Sequence, residues 1–94
     1  MSLPFELHQL EAFVVVGELL SIQDAADRLH IAQPAVTRKI HKLEQALGVQ
    51  LFVRGNHRLC LTSAGRGFKT DAAYILKEVQ IAIAAVRNST IEQR

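Results

Sequence analysis

Apolar side chains recur along this chain at helical spacing in four places, and as two short runs in a fifth. Leu7, Leu10, Phe13, Val14 and Gly17 fall on one stripe and predict a helix over about 7–19. Leu3 and Phe5 precede it and can fold back on a core. A second, short helix is predicted over about 22–29. Ser21 is a good N-cap, Asp24 stands three residues on in a near match to a capping box, and Ile22, Ala25, Ala26 and Leu29 make the buried stripe. The paired alanines leave a small face that another helix backbone can approach closely. Only His30, Ile31 and Ala32 separate this helix from the next, which is helix-turn-helix spacing.

The third helix is predicted over about 33–47. Pro34 fits its first turn, where no intrahelical N–H is needed, and Gly48 supplies the stop. Ala32 is a weak cap, costing about 0.5–2 kcal/mol relative to Ser. Val36, Ile40, Leu43 and Leu47 share one face. At 100° per residue the opposite face holds Pro34, Arg38, His41, Lys42 and Gln45, flanked by Gln33 and Thr37.

Two apolar runs follow, Leu51-Phe52-Val53 and Leu59-Cys60-Leu61, separated by Arg54-Gly55-Asn56-His57-Arg58. Gly55 and Asn56 are suited to the positive φ of a tight reversal, so a small β-hairpin with a basic tip is expected. The last helix starts after Thr62, its cap, and runs to about Asn88, leaving Ser89–Arg94 as a frayed tail. Phe68, Ala72, Ile75, Val79, Ala82 and Val86 form a heptad seam, with Leu76 and Ile83 as a second stripe beside it. Such a helix is too long and too apolar for one small core to cover. Gly65 and Gly67, unfavourable inside a helix, are expected to serve close packing near its start.

The expected fold is therefore mainly α: a winged helix-turn-helix over 1–62, with a three-helix core and a small hairpin wing, followed by a dimerisation helix and tail over 63–94.

Composition narrows the chemistry. The chain has 94 residues, 49% of them hydrophobic and 21% charged, which is the ordinary globular range. Its single cysteine excludes a disulfide framework and any multi-cysteine metal site. No apolar run approaches the ~18 residues of a membrane span, and no basic start leads into a long apolar core, so a cytoplasmic protein is expected. The net charge of +2 hides a segregation. Residues 1–32 carry one basic and five acidic side chains, net −4; residues 33–58 carry five basic and one acidic, net +4; residues 59–94 carry five and three, net +2. The basic middle matches a nucleic-acid surface, and a solvated face of mixed charge is the plain alternative. No nucleophile motif, phosphate loop or metal-ligand cluster is present, so neither an enzyme nor a cofactor is expected. Cys60 reads as a half-buried strand residue, His8 and His30 as surface or turn residues, and Tyr74 as a helix-surface or interface aromatic.

A helix of this length fits the major groove, about 12 Å wide. Arg38 can bridge O6 and N7 of guanine, Gln33 can pair with adenine, and Thr37 and Pro34 can pack on a thymine methyl. His41 and Lys42 reach phosphates further along, and Ser21 and Gln23 meet one where the second helix crosses the backbone. Arg54, His57 and Arg58 reach a flanking phosphate or the minor groove; Arg54 has the alternative of bracing the hairpin.

The run from Ala25-Ala26 through Leu29-His30, Gln33-Pro34-Ala35-Val36-Thr37-Arg38, Ile40, Leu43-Glu44, Leu47-Gly48-Val49, Leu51-Phe52 and Arg54, then Leu61-Thr62 and Ala64-Gly65, resembles the LysR-type transcriptional regulators over roughly 6–66. The chain departs from the family at Ala32 (usually Ser), Val53 (commonly acidic) and Cys60 (frequently basic or polar). The resemblance implies a DNA-binding region with Gln33, Pro34, Thr37, Arg38 and Arg54 at the duplex. It also implies a larger C-terminal effector-binding domain beyond the linker helix, which makes this chain look like an isolated DNA-binding region. Linker helices paired antiparallel would give a homodimer on an operator with two-fold-related half-sites, with a tetramer open to a full-length chain. Two alternatives remain at this stage: a winged-helix protein-interaction module, and the DNA-binding domain of a molybdate-responsive regulator.

Overall fold

The first helix, α1 (Leu7–Leu19), carries a wide apolar face and only a narrow exposed polar edge at His8, Glu11 and Glu18. Besides the expected Leu10, Phe13, Val14 and Gly17, it buries Ala12 and Val16, while Leu7 at the outer end of the stripe stays 42% exposed. A helix with so wide an apolar face belongs at the centre, and α1 packs against the second, third and last helices alike. Its buried polar residue, Gln9, accepts a hydrogen bond from the Glu6 N–H at 3.0 Å, so the burial is compensated at the helix entry. The helix stops at Leu20, held in the left-handed region at φ 52°. The computed structural model describes residues 2–92, with side chains described through Ser89.

Helix α2 (Ile22–Leu29) begins as its sequence demands: the Asp24 N–H donates to Ser21 Oγ at 3.1 Å. Ala25 and Ala26 are buried against the neighbouring helices, and His30 turns the chain at φ 59°. Helix α3 (Gln33–Leu47) follows, with Val36, Ile40 and Leu43 buried and Leu47 packed at the margin. No side chain caps its start, as expected of Ala32; Gly48 ends it at φ 69°.

Strands β1 (Phe52–Gly55) and β2 (Arg58–Leu61) pair antiparallel, with Phe52 opposite Leu61 and Gly55 opposite Arg58. The two-residue turn is Asn56-His57, at φ 53° and 64°, the positive pair that a type I′ turn needs. This shifts the expected reversal by one residue. Gly55 lies in the strand without a positive φ, and His57 takes the conformation expected of a glycine. Cys60, expected half-buried, is exposed on β2.

Helix α4 (Ser63–Glu92) starts where Thr62 caps it, the Gly65 N–H donating to Thr62 Oγ1 at 2.9 Å. It continues through Glu92 and not to about Asn88, so Ser89–Glu92 is helix where a frayed tail was expected; Gln93 and Arg94 lie outside the described residues. Gly65 permits the close approach: a Cβ there would run into the Leu51 carbonyl. Gly67 faces open space, so the packing role expected of it does not exist.

Phe13 ties the layers together. Its ring meets Phe52 edge-on at 5.5 Å and Phe68 at 5.4 Å, joining α1 to the hairpin base and to α4. The outer turns of α4 leave this core behind. The radius of gyration is 15.3 Å and the longest dimension 57 Å, against about 12 Å expected for a compact chain of this length.

Candidate nucleic-acid interface

The amphipathic pattern of α3 becomes a two-sided object in the fold. Val36, Ile40 and Leu43 face inward, and on the solvent side Gln33, Pro34, Arg38, His41 and Lys42 are exposed, with Thr37 half-buried at the edge. Gln33, Pro34, Thr37, Arg38 and His41 line one shallow concavity along that face. Lys42 is exposed beyond it.

A second depression begins where the first ends. Ser21 and Gln23 at the start of α2, Gln33 at the start of α3, and Arg54, His57 and Arg58 of the hairpin all border it, together with Leu59 and Cys60. Gln33 belongs to both depressions and links them. The sequence assigned helix two and the wing to separate contacts; the fold brings them to one groove. The starts of α2 and α3, two arginines and a histidine border this groove, and the arginines and the positive ends of the helix dipoles make it attractive to anions. Ser21 Oγ is engaged as a cap acceptor, and its hydroxyl proton remains a donor.

Not every cation of the basic segment joins this surface. Lys39 turns away and its Nζ bonds His8 Nδ1 of α1 at 2.8 Å, tying α3 to α1. One residue of the site was missed by sequence reasoning. Glu44, in the last full turn of α3, accepts from the Leu51 N–H at 2.7 Å and the Phe52 N–H at 3.2 Å through a single oxygen, Oε2. Its signal was present: it is the lone acid among residues 33–58. The carboxylate stands beside basic side chains yet is turned onto these backbone donors.

The residues expected at a dimer seam divide between two roles. Ala72 is fully buried within the protomer, Phe68 packs on Phe13, and Leu76 packs at the core margin. These three belong to the chain's own core, because the first turns of α4 close it. The same side of α4 then runs outward through half-buried Val79 and exposed Ile75 (41%), Ala82, Ile83 (42%) and Val86 (61%). Val79 and Ile83, with Leu7, Val14 and Val15 of α1, line an apolar groove rimmed by Glu11, Glu18 and Lys77. Among the described residues no group of three or more His, Cys, Asp or Glu side chains could hold a metal, and no helix is long and apolar enough to cross a membrane.

Three helices with a hairpin wing beside the third, and a long helix leaving the core, define a winged helix-turn-helix of the DNA-reading type. The family model for bacterial regulatory helix-turn-helix proteins of the lysR family matches residues 7–66. The chain belongs to the LysR family. It is 50% identical over 72 residues to the HTH-type transcriptional regulator TfdS of Cupriavidus pinatubonensis (strain JMP 134 / LMG 1197), covering 77% of this chain and 24% of that protein. It is 38% identical over 89 residues to the Hca operon transcriptional activator HcaR of Escherichia coli (strain K12), covering 95% of this chain and 30% of that one. The chain thus spans about a quarter to a third of the length of these relatives. Its fold matches the crystal structure of the BenM DBD with catB site 1 DNA at a TM-score of 0.85 and 38% identity, covering 89% of this chain and 93% of that one.

Proposed function

We propose that this chain is the sequence-specific, double-stranded-DNA-binding part of a bacterial transcriptional regulator, acting in the cytoplasm. Helix α3 enters the major groove with Arg38, Gln33, Thr37 and Pro34 toward base edges and His41 and Lys42 toward phosphates. Ser21, Gln23, Arg54, His57 and Arg58 hold the flanking backbone, the wing tip reaching a phosphate or the minor groove. The observation that carries this reading is the continuity of the two depressions through Gln33, which sets a base-reading face directly beside an anion-attracting groove. The likeness to a DNA-bound domain supports it, and the comparisons favour neither a protein-docking module nor a molybdate-type regulator. A second copy covers the α1–α4 groove and the outer stripe of α4, giving a homodimer with two recognition helices for two-fold-related half-sites.

Selection from a randomised duplex library tests the reading, since a binding protein yields one enriched motif. On that motif Arg38→Ala is expected to lose about 1–3 kcal/mol and to relax preference at one base position. If parent and variant bind selected and scrambled duplexes alike, α3 is not the reading element.

A further inference from the structure

Among the described residues the hairpin is a sheet of two strands, and β1 and β2 pair with no other strand. Such a hairpin is marginal by itself, so its orientation depends on how its base is held. Leu51 and Phe52, at that base, are gripped from two sides. The Thr62 N–H donates to the Leu51 carbonyl at 2.9 Å, tying the base to the start of α4. Glu44 Oε2 takes both the Leu51 and the Phe52 N–H, tying it to α3. Glu44 sits in the crevice between α3 and the hairpin, which His41 and Arg54 also line. Arg54 is two residues along the strand from Phe52, about 7 Å at the extended rise. A shift at the anchor therefore moves Arg54 by a comparable amount.

We propose that Glu44 is a positioning residue for the wing: its two hydrogen bonds set the distance and angle between the recognition helix and the wing arginines, so that both reach one duplex together. This rests on the reading that Arg54 and Arg58 touch the DNA backbone. Because the bonds share one oxygen, a glutamine carbonyl can accept both, whereas alanine accepts neither. Glu44→Gln and Glu44→Ala remove the same charge, so any difference between them reports the acceptor and not the electrostatics.

The experiment measures binding of the 94-residue chain to its selected duplex across salt, for the parent, E44Q, E44A, the R54A/R58A pair, and that pair combined with E44A. Amide hydrogen exchange at Leu51 and Phe52 is followed in parallel. E44A is expected to speed exchange at both amides and to flatten the salt slope as the arginine pair does, by up to about two units. The drop in affinity between about 50 and about 200 mM salt then shrinks roughly tenfold. E44Q stays within about twofold of the parent in affinity and slope, and E44A adds nothing to the arginine pair. Base preference is unchanged throughout. If E44A does not fold, Glu44→Asp, which keeps the charge but falls short of the two amides, takes its place with the same expectation. Parental binding and slope in E44A, an E44Q as impaired as E44A, or losses that add to those of the arginine pair would each overturn the proposal. An arginine pair that leaves the slope unchanged removes the wing contact and this proposal with it. An effective pair beside a silent E44A removes this proposal alone.

Discussion

Ile83 gives the sharpest test of how the outer half of α4 is covered. Its side chain is 42% exposed in the protomer, on the stripe that seals the core lower down through Phe68 and Ala72. Full burial of an isoleucine is worth about 1.5–3 kcal/mol, so covering the two-fifths that is still wet yields about 1 kcal/mol. A two-fold interface counts it twice, about 2 kcal/mol per dimer, so Ile83→Ala should raise the dimer dissociation constant about 30-fold. Ile83→Asp should do more, because it also strands a charge in the interface. The protomer should tolerate either change, since Ile83 lies outside the buried core. Ile81→Asp is the control. Ile81 is 51% exposed on the opposite side of the helix, and its replacement should leave association unchanged. Sedimentation equilibrium reads the monomer–dimer balance, and duplexes with one or two half-sites read the consequence. Ile83→Asp should weaken the two-site duplex far more than the one-site duplex. A parent monomeric at tens of micromolar, or Ile81→Asp and Ile83→Asp behaving alike, would refute the reasoning.

Two further outcomes concern stability. A methyl group at Gly65 meets the Leu51 backbone, so Gly65→Ala should cost about 1–2 kcal/mol net and lower the melting temperature by roughly 5–10 °C. Gly67→Ala, in a helix with open space around it, should gain up to about 1 kcal/mol; calorimetry showing the same sign for both would contradict the packing described. At the wing tip His57→Gly creates an Asn-Gly type I′ turn and removes the strain of a left-handed histidine, so the hairpin should tighten by about 1 kcal/mol. If His57 also reaches the duplex, the same variant loses affinity while gaining stability; a variant that gains both assigns His57 to the turn alone.

The first three helices were legible to the residue because their signals are local. Ser21 as an acceptor, Gly48 as a left-handed stop, Pro34 in a first turn and the spacing of Val36, Ile40 and Leu43 each act within a few positions along the chain. The solvent-facing set on α3 was legible for the same reason: a helix that buries one face must present the other. The order of the elements was enough to predict a winged helix-turn-helix, since few arrangements join three short helices, a hairpin and a long helix with such brief connections.

Only the tertiary structure decided how the elements share surfaces. A heptad seam states that a face must be covered, not by what, and packing assigned Phe68, Ala72 and Leu76 to the chain's own core while Ile83 stayed exposed. The turn moved to Asn56-His57 because the register of Phe52 opposite Leu61 leaves those two residues between the strands, whatever Gly55 would prefer. The groove joining helix two to the wing, the turning of Lys39 onto His8, and the anchoring of Leu51 and Phe52 by Glu44 all link residues of different elements. Periodicity and capping report each element's own faces and ends; the placement of one element against another is set by long-range packing, which no local pattern carries.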